Sequence, residues 1–539
     1  MSHLRENYHQ LKSNLIKLKQ SVSFAAALPK FFREQMSLQQ AEETIKRLLE
    51  NREENFLELV RRRVYERPES PYLRLLKHAG CQFSDLQACV RQRGLERTLE
   101  QLASEGVYLT AEEFKAKKDV VRGSLSFRVD PDALEKPDPT AGFVTQSSGT
   151  SNRPITAANP LDWIRLSNCF RGAALQANNL LDGRVAVYDA ILPGAGGVLF
   201  LLTLAQVGIA TDRWFAPRVF VSNWLESQYH RAMTHLIVVM GKTFGPGFPV
   251  PRTVDPGDVA LILHWIESFA DRGQFCMIRT VVSNAVRIAR AASKKGVALS
   301  ATRFIVSGEP LTASKAEIIR AAGAGVSLFY GYSGPFTLGV SCAKPACLDD
   351  MHVNETLHSV ISHPLPIEQD NFSIHPLLIT TLHASTPKLQ LNVANGDFAV
   401  LERKSCGCAL LRSGLTLHVS RVRSYEKFTS EGMNYFYGDL YELLERRLPA
   451  EFGGGPGDFQ LVEEEDQNGQ TRLTLVVHPG IREVNEPMLL GRLQQELAQG
   501  SRNNQFMSRV WQNAGTFRIR RDHPHASARG KILPLYIKH

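Results

Sequence analysis

The residues from Thr145 to Pro154, TQSSGTSNRP, are the first in the chain whose types and spacing could do chemistry. They follow the apolar residues Phe143 and Val144 and precede a segment with a helical pattern, so we predict a strand, a tight turn and a helix start. Such a turn can point several backbone N–H groups into one concavity, and Ser and Thr hydroxyls add uncharged donors. The stretch therefore predicts a phosphate-binding loop, and the alternative is an ordinary polar loop.

Two further loops follow short apolar runs that are typical of buried strands. Ser307 to Pro310 follows RFIV, and Tyr330 to Ser333 follows VSLF. Ligands of parallel α/β sheets gather at the carboxyl ends of the strands. We therefore expect these two loops and the Thr145 stretch to share one cleft.

Cysteine and histidine residues predict a second site, apart from that cleft. Cys406 and Cys408 are a closely spaced thiol pair, and Cys342, Cys347 and His352 lie in an earlier loop. Two cysteines from one loop with a cysteine and a histidine from another are sufficient for a closed, structural zinc site. The predicted ligands are Cys347, His352, Cys406 and Cys408, with Cys342 in reserve. The alternative is buried free thiols and a surface histidine.

The elements that must position these residues divide the chain into three regions. Residues 1–135 place Leu, Ile and Val at helical spacing and predict a helical N-terminal region. Residues 136–422 alternate short apolar runs with helical patterns, which is typical of an α/β core with largely parallel strands. Residues 423–539 read as a small α+β lid. The predicted fold class is α/β, with mixed sheets in the large part and a mobile lid at the C-terminus.

Composition and charge limit the classes of protein. The chain has 539 residues, 43% of them hydrophobic and 22% charged, as in a globular protein of two or three domains. The formal net charge of +9 suits a polyphosphate small molecule as well as nucleic acid. No helix-turn-helix, RNP or zinc-finger spacing accompanies that charge, so we expect no nucleic-acid partner.

Two stretches bear on localisation. Ile191 to Ala210 has no charged residue, but Pro193 and three glycines stand at its front, so we predict a buried helix and no membrane span. The N-terminus lacks the apolar core of a signal peptide, so we expect a cytoplasmic protein. In that compartment the eight cysteines favour free thiols or metal ligands over disulfides.

Taken in order from about Ala141 to Lys531, these pieces resemble the adenylate-forming superfamily. That superfamily includes acyl- and aryl-CoA ligases, nonribosomal peptide adenylation domains and beetle luciferases, and the nearest likeness is to the phenylacetate-CoA ligase and acyl-protein synthetase branch. The resemblance implies ATP-dependent activation of an aryl or short acyl carboxylic acid as an acyl-adenylate, followed by transfer to the thiol of coenzyme A. Alternatives are transfer to a carrier-protein or protein thiol, and a degenerate nucleotide-binding protein. It also implies a soluble enzyme without membrane partners, and a homodimer is one expected assembly.

The resemblance assigns a role to each residue of the nucleotide site. Catalytic roles fall to Lys531, which would bridge carboxylate and α-phosphate, and to Ser333, which would meet the α-phosphate. Asp397 would accept the ribose hydroxyls, and Arg421, with Arg423 as a competitor, would reach ribose or phosphate. The remaining nucleotide-binding residues are Ser147, Ser148, Gly149, Thr150 and Ser151 for the phosphates, and Gly308, Glu309, Pro310, Tyr330, Gly331 and Tyr332 around adenine. The acyl pocket is predicted along Ile191 to Gly197, Trp214 to Pro217, His235 to Gly245 and Tyr332 to Phe336.

The chain departs from the family pattern at two points. Asn152, Arg153 and Pro154 stand where a second glycine and then a lysine are usual. Gly334 stands where the family has the glutamate that binds Mg²⁺, the hard cation that prefers carboxylate oxygens. Magnesium would then reach the site through the ATP phosphates and water, or through another carboxylate such as Glu309.

Overall fold

The computed structural model of the chain describes most of its residues. The described ranges are 21–136, 141–146, 156–217, 224–255, 258–270, 274–332, 335–366, 373–424, 428–430, 433–435, 437–465, 471–497, 517–527 and 530–537.

The N-terminal region is helical, as predicted. Ser37 begins the second helix with a capping box, in which its hydroxyl accepts from the Gln40 N–H at 3.1 Å and the Gln40 side chain accepts from the Ser37 N–H at 2.9 Å. The elements are α1 (21–33), α2 (Leu38–Glu50), α3 (Arg52–Val60), a π-helical turn (Arg61–Tyr65), α4 (Pro71–His78), α5 (Phe83–Arg93), α6 (Leu95–Ser104), α7 (Ala111–Phe114), strands β1 (Val120–Arg122) and β2 (Leu125–Phe127), and a 3₁₀ turn (Pro131–Leu134).

The stretch around the predicted phosphate loop is a β-hairpin. Strand β3 (Gly142–Gln146) pairs with β4 (Thr156–Pro160) in an antiparallel register that joins Gln146 to Thr156. Helix α8 (Leu161–Ala177) begins only after β4. The prediction of a helix start directly after the turn was wrong, because a second strand, Thr156–Pro160, lies between the turn and the helix.

A sheet of twelve strands forms the centre of the molecule, in the order β13-β16-β17-β18-β12-β11-β10-β9-β8-β5-β6-β7. The parallel strands are β5 (Arg184–Tyr188), β6 (Arg213–Pro217), β7 (Pro251–Val254), β8 (Cys276–Val281), β9 (Thr302–Ser307) and β10 (Gly325–Tyr332). The antiparallel strands are β11 (Phe336–Ser341), β12 (Met351–Val353), β13 (His358–Ser362), β16 (Pro376–Thr381), β17 (Val393–Arg403) and β18 (Leu417–Ser424).

The expectation of largely parallel strands therefore holds for one half of the sheet. The reversal begins after β10, because only three residues separate Tyr332 from Phe336. A connection this short can join only antiparallel strands, since a parallel crossover needs about a dozen residues. Two minor pairs accompany the sheet, β14 (Leu365–Pro366) with β15 (Ser373–Ile374) and β19 (Phe428–Ser430) with β20 (Met433–Tyr435).

Helices cover both faces of the parallel half. The helices are α9 (Gly196–Gln206), α10 (Trp224–Phe244), α11 (Ala260–Ala270), α12 (Val282–Lys295) and α13 (Ala313–Ala321), with a short α14 (Ala409–Arg412) later in the chain. Because side chains alternate along a strand, Val185 and Val187 pack with Leu201 of α9 on one face, whereas Ala186 and Tyr188 pack on the other with α12. Within the described ranges, no helix is long and apolar enough to cross a membrane.

The C-terminal region has a core of its own. Its sheet has the order β23-β22-β21-β24, with β21 (Phe459–Glu465), β22 (Thr471–Val477), β23 (Phe517–Arg521) and β24 (Leu535–Ile537). Its helices are α15 (Tyr437–Glu442), a π-helical turn (Leu443–Arg447), α16 (Leu448–Phe452) and α17 (Glu486–Leu497). Leu448, Leu475 and Leu489 meet in a separate apolar cluster. The fold class is thus α/β with a separate small C-terminal α/β region, as predicted, and the exact domain limits stay a prediction.

Candidate active site

Part of the predicted nucleotide site lies outside the described residues, namely Ser147, Ser148, Gly149, Thr150, Ser151, Ser333 and Gly334. The base of the β3–β4 hairpin is described, and the buried Asn159 holds it. Its Nδ2 donates to Thr145 Oγ1 at 2.9 Å and to the Phe143 carbonyl at 3.3 Å. The two strands that carry the predicted loop are therefore fixed to each other by side chains as well as by the ladder.

Tyr330 and Asp397 meet at one end of the central sheet. The Tyr330 hydroxyl donates to Asp397 Oδ2 at 2.6 Å, and the Asn395 amide donates to the same hydroxyl at 2.8 Å and to Asp397 Oδ2 at 3.1 Å. Burial and the Asp397 carboxylate raise the pKa of Tyr330 well above its ordinary value, so the hydroxyl stays protonated. The predicted adenine-stacking residue and the predicted ribose acceptor are therefore neighbours.

The turn after β9 places a glycine at the surface and a glutamate in the interior. Gly308 has a φ of +82°, in the left-handed region that favours glycine. The Glu309 side chain is fully buried, where Ser283 Oγ donates to its Oε2 at 2.5 Å and Lys315 Nζ lies 3.7 Å from the same oxygen. This carboxylate already has a counter-charge and no exposed oxygen, so the geometry does not favour Glu309 as a magnesium ligand.

Lys531 comes from the C-terminal region and reaches this turn. Its Cε and Nζ lie 2.9 Å from the position that a Cβ atom on Gly308 would occupy. A small hairpin presents the lysine, in which Ala526 pairs with Ile532 and the Gly530 N–H donates to the Ser527 carbonyl at 2.7 Å. Two residues predicted from distant motifs are thus in contact, and the space for the lysine exists because residue 308 has no side chain.

The Lys531 hairpin is held against the start of α12. Arg287 Nη1 donates to the Gly530 carbonyl at 3.0 Å and to Asn284 Oδ1 at 2.7 Å. The Ile532 N–H donates to Ser283 Oγ at 3.5 Å. These contacts join the C-terminal region to the carboxyl end of β8, on the side of the central sheet where the cleft was predicted.

Arg421 lies in an irregular part of β18. The register between β17 and β18 shifts between Phe398 and Val400, and Arg421 has a φ of +54°. Such a conformation is uncommon for a residue with a side chain and often marks a functional position. The Arg421 side chain is exposed near the strand position of Asp397, which pairs with Ser424.

The acyl pocket stays a prediction, and the residues predicted to line it lie in different surroundings. Trp214 and Phe215 are buried core side chains, and Trp214 Nε1 donates to the Asp189 carbonyl at 2.9 Å. Tyr332 stacks on Phe336 with ring centroids 5.2 Å apart, and its hydroxyl donates to Gln390 Oε1 at 2.9 Å. Tyr332 and Phe336 lie next to the end of β10 that carries Tyr330, whereas Trp214 and Phe215 pack inside the core.

Cysteines and histidines do converge in the region of the second predicted site, and two of the four that the structure groups together, Cys342 and His418, were not among the four predicted ligands. Ligand atoms of Cys342, His352, Cys406 and His418 lie within 4.8 Å of one another, and Cys408 Sγ lies 3.1 Å from His352 Nε2. The Cys347 thiol lies 3.8 Å from Asp349 Oδ1 and outside this group of ligand atoms, whereas Cys342, the alternative cysteine of the same loop, lies inside it.

Both histidines of this cluster have one ring nitrogen fixed by an acceptor. His352 Nδ1 lies 3.1 Å from the Leu415 carbonyl, and His418 Nδ1 lies 2.7 Å from Asp350 Oδ1. Burial alone would raise the pKa of Asp350, but the Ala346 N–H, Lys404 and His418 lower it below its ordinary value. The Nε2 of His352 faces the thiols of Cys406 and Cys408, and the Nε2 of His418 is buried without a hydrogen-bond partner among the described residues. An Nδ1 held by a carbonyl or a carboxylate is the usual outer arrangement of metal-binding histidines.

Sequence reasoning missed His418 and Asp350. The pairing of β12 with β18 places His352 opposite His418, although 66 positions separate them in the chain. The sequence feature that could have indicated this pair is that each histidine lies between two apolar residues of a strand. The partner strands could not be chosen from the sequence, because β12 has only three residues.

Comparisons with known proteins give similar folds and no sequence match. No protein-family model and no curated protein matches the chain. A 2-hydroxyisobutyryl-CoA ligase in the postadenylation state is 15% identical, with 94% of this chain and 91% of that chain covered and a TM-score of 0.49. Fatty acyl-adenylate ligases from E. coli and L. pneumophila are 13% identical, with 74% and 70% covered and a TM-score of 0.40.

A third similar structure is the adenylation domain of a keto acid-selecting NRPS module bound to keto acyl adenylate. It is 11% identical, with 85% of this chain and 89% of that chain covered and a TM-score of 0.34. At these identities and scores, the likenesses do not assign a reaction to the chain.

Proposed function

We propose that this chain is an ATP-dependent enzyme that activates a carboxylic acid as an acyl-adenylate and then transfers the acyl group to the thiol of coenzyme A. The observation that supports this function best is the contact between Lys531 and Gly308, because it brings the predicted catalytic lysine to the turn predicted to flank adenine. The neighbouring Tyr330 and Asp397 support a nucleoside site in the same part of the sheet.

In the first step, an oxygen of the substrate carboxylate attacks the α-phosphorus of ATP, and the bond to the β-phosphate oxygen breaks. Pyrophosphate leaves with that electron pair. Lys531 would balance the charge that builds on the α-phosphate oxygens, as a flexible ammonium group can. Ser147 to Ser151 would hold the departing phosphates, Ser333 the α-phosphate, and Asp397 the ribose hydroxyls.

Magnesium would supply positive charge at the departing pyrophosphate. Position 334 has no carboxylate, and Glu309 is enclosed by Ser283 and Lys315. We therefore propose that the ion is held through the ATP phosphates and water. The protein's own part is positioning and charge stabilisation, which is most of what phosphoryl-type transfer requires.

In the second step, a thiolate attacks the acyl carbon, and the carbon–oxygen bond to AMP breaks. Coenzyme A is the proposed thiol. A carrier-protein phosphopantetheine or a protein cysteine would serve the same chemistry, and these acceptors are outcomes of the test below.

We also propose that the cysteine–histidine cluster holds a structural Zn²⁺. Cys342, Cys406 and His352 would be three of the ligands, with Cys408 or His418 as the fourth. Thiolate and imidazole are the donors of closed, four-coordinate zinc sites. The ion would tie the loop before β12 to the loop before α14.

The test of the enzyme is pyrophosphate release from ATP with a panel of aryl and short acyl acids. We expect release with at least one acid, and a loss of roughly 100-fold in Lys531→Ala. Arg518→Ala is the matched control, because Arg518 is an exposed cation of the same region on β23. This function would be excluded if no acid of the panel supported pyrophosphate release, or if Lys531→Ala and Arg518→Ala released pyrophosphate at equal rates. Adding coenzyme A or a phosphopantetheine carrier in separate reactions would identify the acceptor.

A further inference from the structure

Three side chains, Thr312, Lys315 and Glu445, form a buried contact between the central α/β core and the C-terminal region. Lys315 Nζ lies 2.6 Å from Glu445 Oε1, and Thr312 Oγ1 donates to Glu445 Oε2 at 2.7 Å. The Lys315 side chain is 2% exposed and the Glu445 side chain 8%. We call these three residues the latch.

The latch can form only when the two regions lie against each other as they do here. Thr312 caps the N-terminus of α13 and Lys315 lies in its first turn, whereas Glu445 belongs to the π-helical turn after α15. If the regions separated, Lys315 would keep only Glu309 at 3.7 Å, and Glu445 would lose both partners. A buried ion pair of this kind is sensitive to the loss of one partner, because the remaining charge is left uncompensated.

The latch is connected to the candidate active site. Lys315 also faces Glu309, which directly follows Gly308, and Glu309 accepts from Ser283 Oγ at 2.5 Å. The same Ser283 Oγ accepts from the Ile532 N–H, next to Lys531. The side chains that enclose Glu309 therefore touch both the turn that meets Lys531 and the hairpin that carries it.

Another ion pair between the two regions is weaker by the same physical criteria. Arg290 Nη1 lies 3.2 Å from Asp458 Oδ1, but the Arg290 side chain is 37% exposed. Exposed pairs contribute little, because water screens them and both side chains lose freedom. Lys315 and Glu445 are enclosed, and both oxygens of Glu445 are engaged, so of these two ion pairs the latch is the more sensitive to the loss of one partner.

We infer that the latch holds the C-terminal region in the arrangement that places Lys531 against Gly308, which makes Lys315 and Glu445 positioning residues for the adenylation step. The inference rests on the proposed function for its catalytic meaning, but not for its structural one. Without the charge on Glu445, a larger fraction of molecules has Lys531 away from the turn. In the proposed mechanism Lys531 acts only in adenylation, so we expect thiol transfer from an acyl-adenylate supplied in solution to be unaffected.

Glu445→Gln is the appropriate variant, because glutamine keeps the size of the side chain and an acceptor for Thr312 while it removes the charge. Glu442→Gln is the matched control. Glu442 lies one turn earlier, and its partner Arg446, at 3.3 Å, belongs to the same region and is exposed. Both variants leave the apolar cluster of the C-terminal region untouched.

The first readout is hydrogen exchange on the full-length chain without ligand. In Glu445→Gln we expect roughly tenfold faster exchange in the Ala526–Ile532 hairpin and in the first turn of α12, with exchange in α17 unchanged. Unchanged hydrogen exchange in α17 would show that the C-terminal region of the variant is folded. Equal hairpin exchange in Glu445→Gln and Glu442→Gln would overturn the inference.

The second readout separates the two half-reactions. With an acid that the wild type activates, ATP–pyrophosphate exchange should fall roughly tenfold in Glu445→Gln, while thiol transfer from the supplied acyl-adenylate stays within about twofold. An equal fall in both half-reactions would indicate general damage and contradict a positioning role. If the wild type activates no acid, the proposed function fails, and the hydrogen-exchange result still decides whether the latch exists.

Discussion

The Tyr330 hydroxyl donates a hydrogen bond to Asp397 Oδ2 at 2.6 Å, although three strands lie between β10 and β17 in the central sheet. The sheet therefore curls enough to bring β10, the last of its parallel strands, close to the antiparallel strand β17. Asn395 supports both partners. The pair joins an aromatic ring and a carboxylate, the two groups that a nucleoside would need for its base and its sugar.

Asp397→Asn should weaken ATP binding, because an amide offers one acceptor oxygen where the carboxylate offers two, and because the negative charge is lost. We expect about a tenfold rise in the KM for ATP in pyrophosphate exchange. Tyr330→Phe removes only the hydroxyl that orients Asp397, so a smaller rise of about threefold is expected. An unchanged KM in Asp397→Asn would place the sugar elsewhere.

Gly308→Ala should reduce adenylation without unfolding the protein. A Cβ there would lie 2.9 Å from Lys531 Cε and Nζ, and the residue has a φ of +82°. Gly296→Ala is the matched control, since Gly296 has a φ of +72° and nothing within 4 Å of its Cβ position. Both variants should lose about 1 kcal/mol of unfolding free energy to backbone strain.

Only Gly308→Ala should lower the rate of pyrophosphate exchange, because only it displaces the lysine. We expect a loss of at least about tenfold relative to Gly296→Ala. Thermal unfolding of both proteins measures the shared cost of strain. Equal exchange rates in the two variants would show that the Lys531 contact is not used.

Local motifs predicted the ends of strands well, since a strand end needs only a short apolar run and the polar residues after it. Gly308 and Tyr330 were placed in that way. Contacts between residues that are distant in the sequence could not be predicted in this way. In the sequence, Lys315 and Glu445 have the pattern of ordinary helix charges, because 130 positions separate them and nothing local marks either residue as buried.

The choice between Cys342 and Cys347 could not be made from the sequence for the same physical reason. Cys342 and Cys347 are five residues apart in one loop, and composition alone cannot tell which thiol turns inward. In the folded chain the Cys342 N–H pairs with the Asp350 carbonyl at 3.0 Å, which places the Cys342 thiol inside the cluster, while Cys347 turns toward Asp349. The choice depends on backbone contacts that form only in the folded chain.

Cys342→Ser and Cys406→Ser should each lower the bound zinc and the thermal stability of the purified protein, because both thiols lie in the cluster with His352. Cys347→Ser is the matched control, and it should keep its zinc. Metal content by mass spectrometry is the direct measurement, and chelation should lower the melting temperature of the wild type but not that of Cys406→Ser. Zinc-free wild-type protein would contradict the site.

The fourth ligand can be identified in the same way. Cys408 Sγ lies 3.1 Å from His352 Nε2, whereas His418 Nε2 has no hydrogen-bond partner in the described part of the chain. If Cys408 is the ligand, Cys408→Ser should lose most of the zinc and His418→Gln should keep it. The opposite result would assign the position to His418, and its carboxylate partner Asp350 would then belong to the outer shell.

His358 should make the core sensitive to acid. It is completely buried against Trp163 and Phe336, and neither ring nitrogen has a hydrogen-bond partner among the residues that the structure describes. Burial lowers the pKa of His358 to about 3 from an ordinary value of 6.5. Between these two values the unfolded chain binds a proton that the folded chain does not, so stability falls as the pH decreases below 6.5.

For this single group the slope is at most about 1.4 kcal/mol of unfolding free energy per pH unit. His358→Leu should remove that slope, so the wild type and the variant should differ progressively more in stability between pH 6.5 and pH 4. Urea unfolding followed by tryptophan fluorescence measures the difference, since Trp163 lies against the His358 ring. The exposed His78→Leu is the matched control and should follow the wild type. Parallel pH curves for His358→Leu and the wild type would show that His358 can be protonated in the folded state.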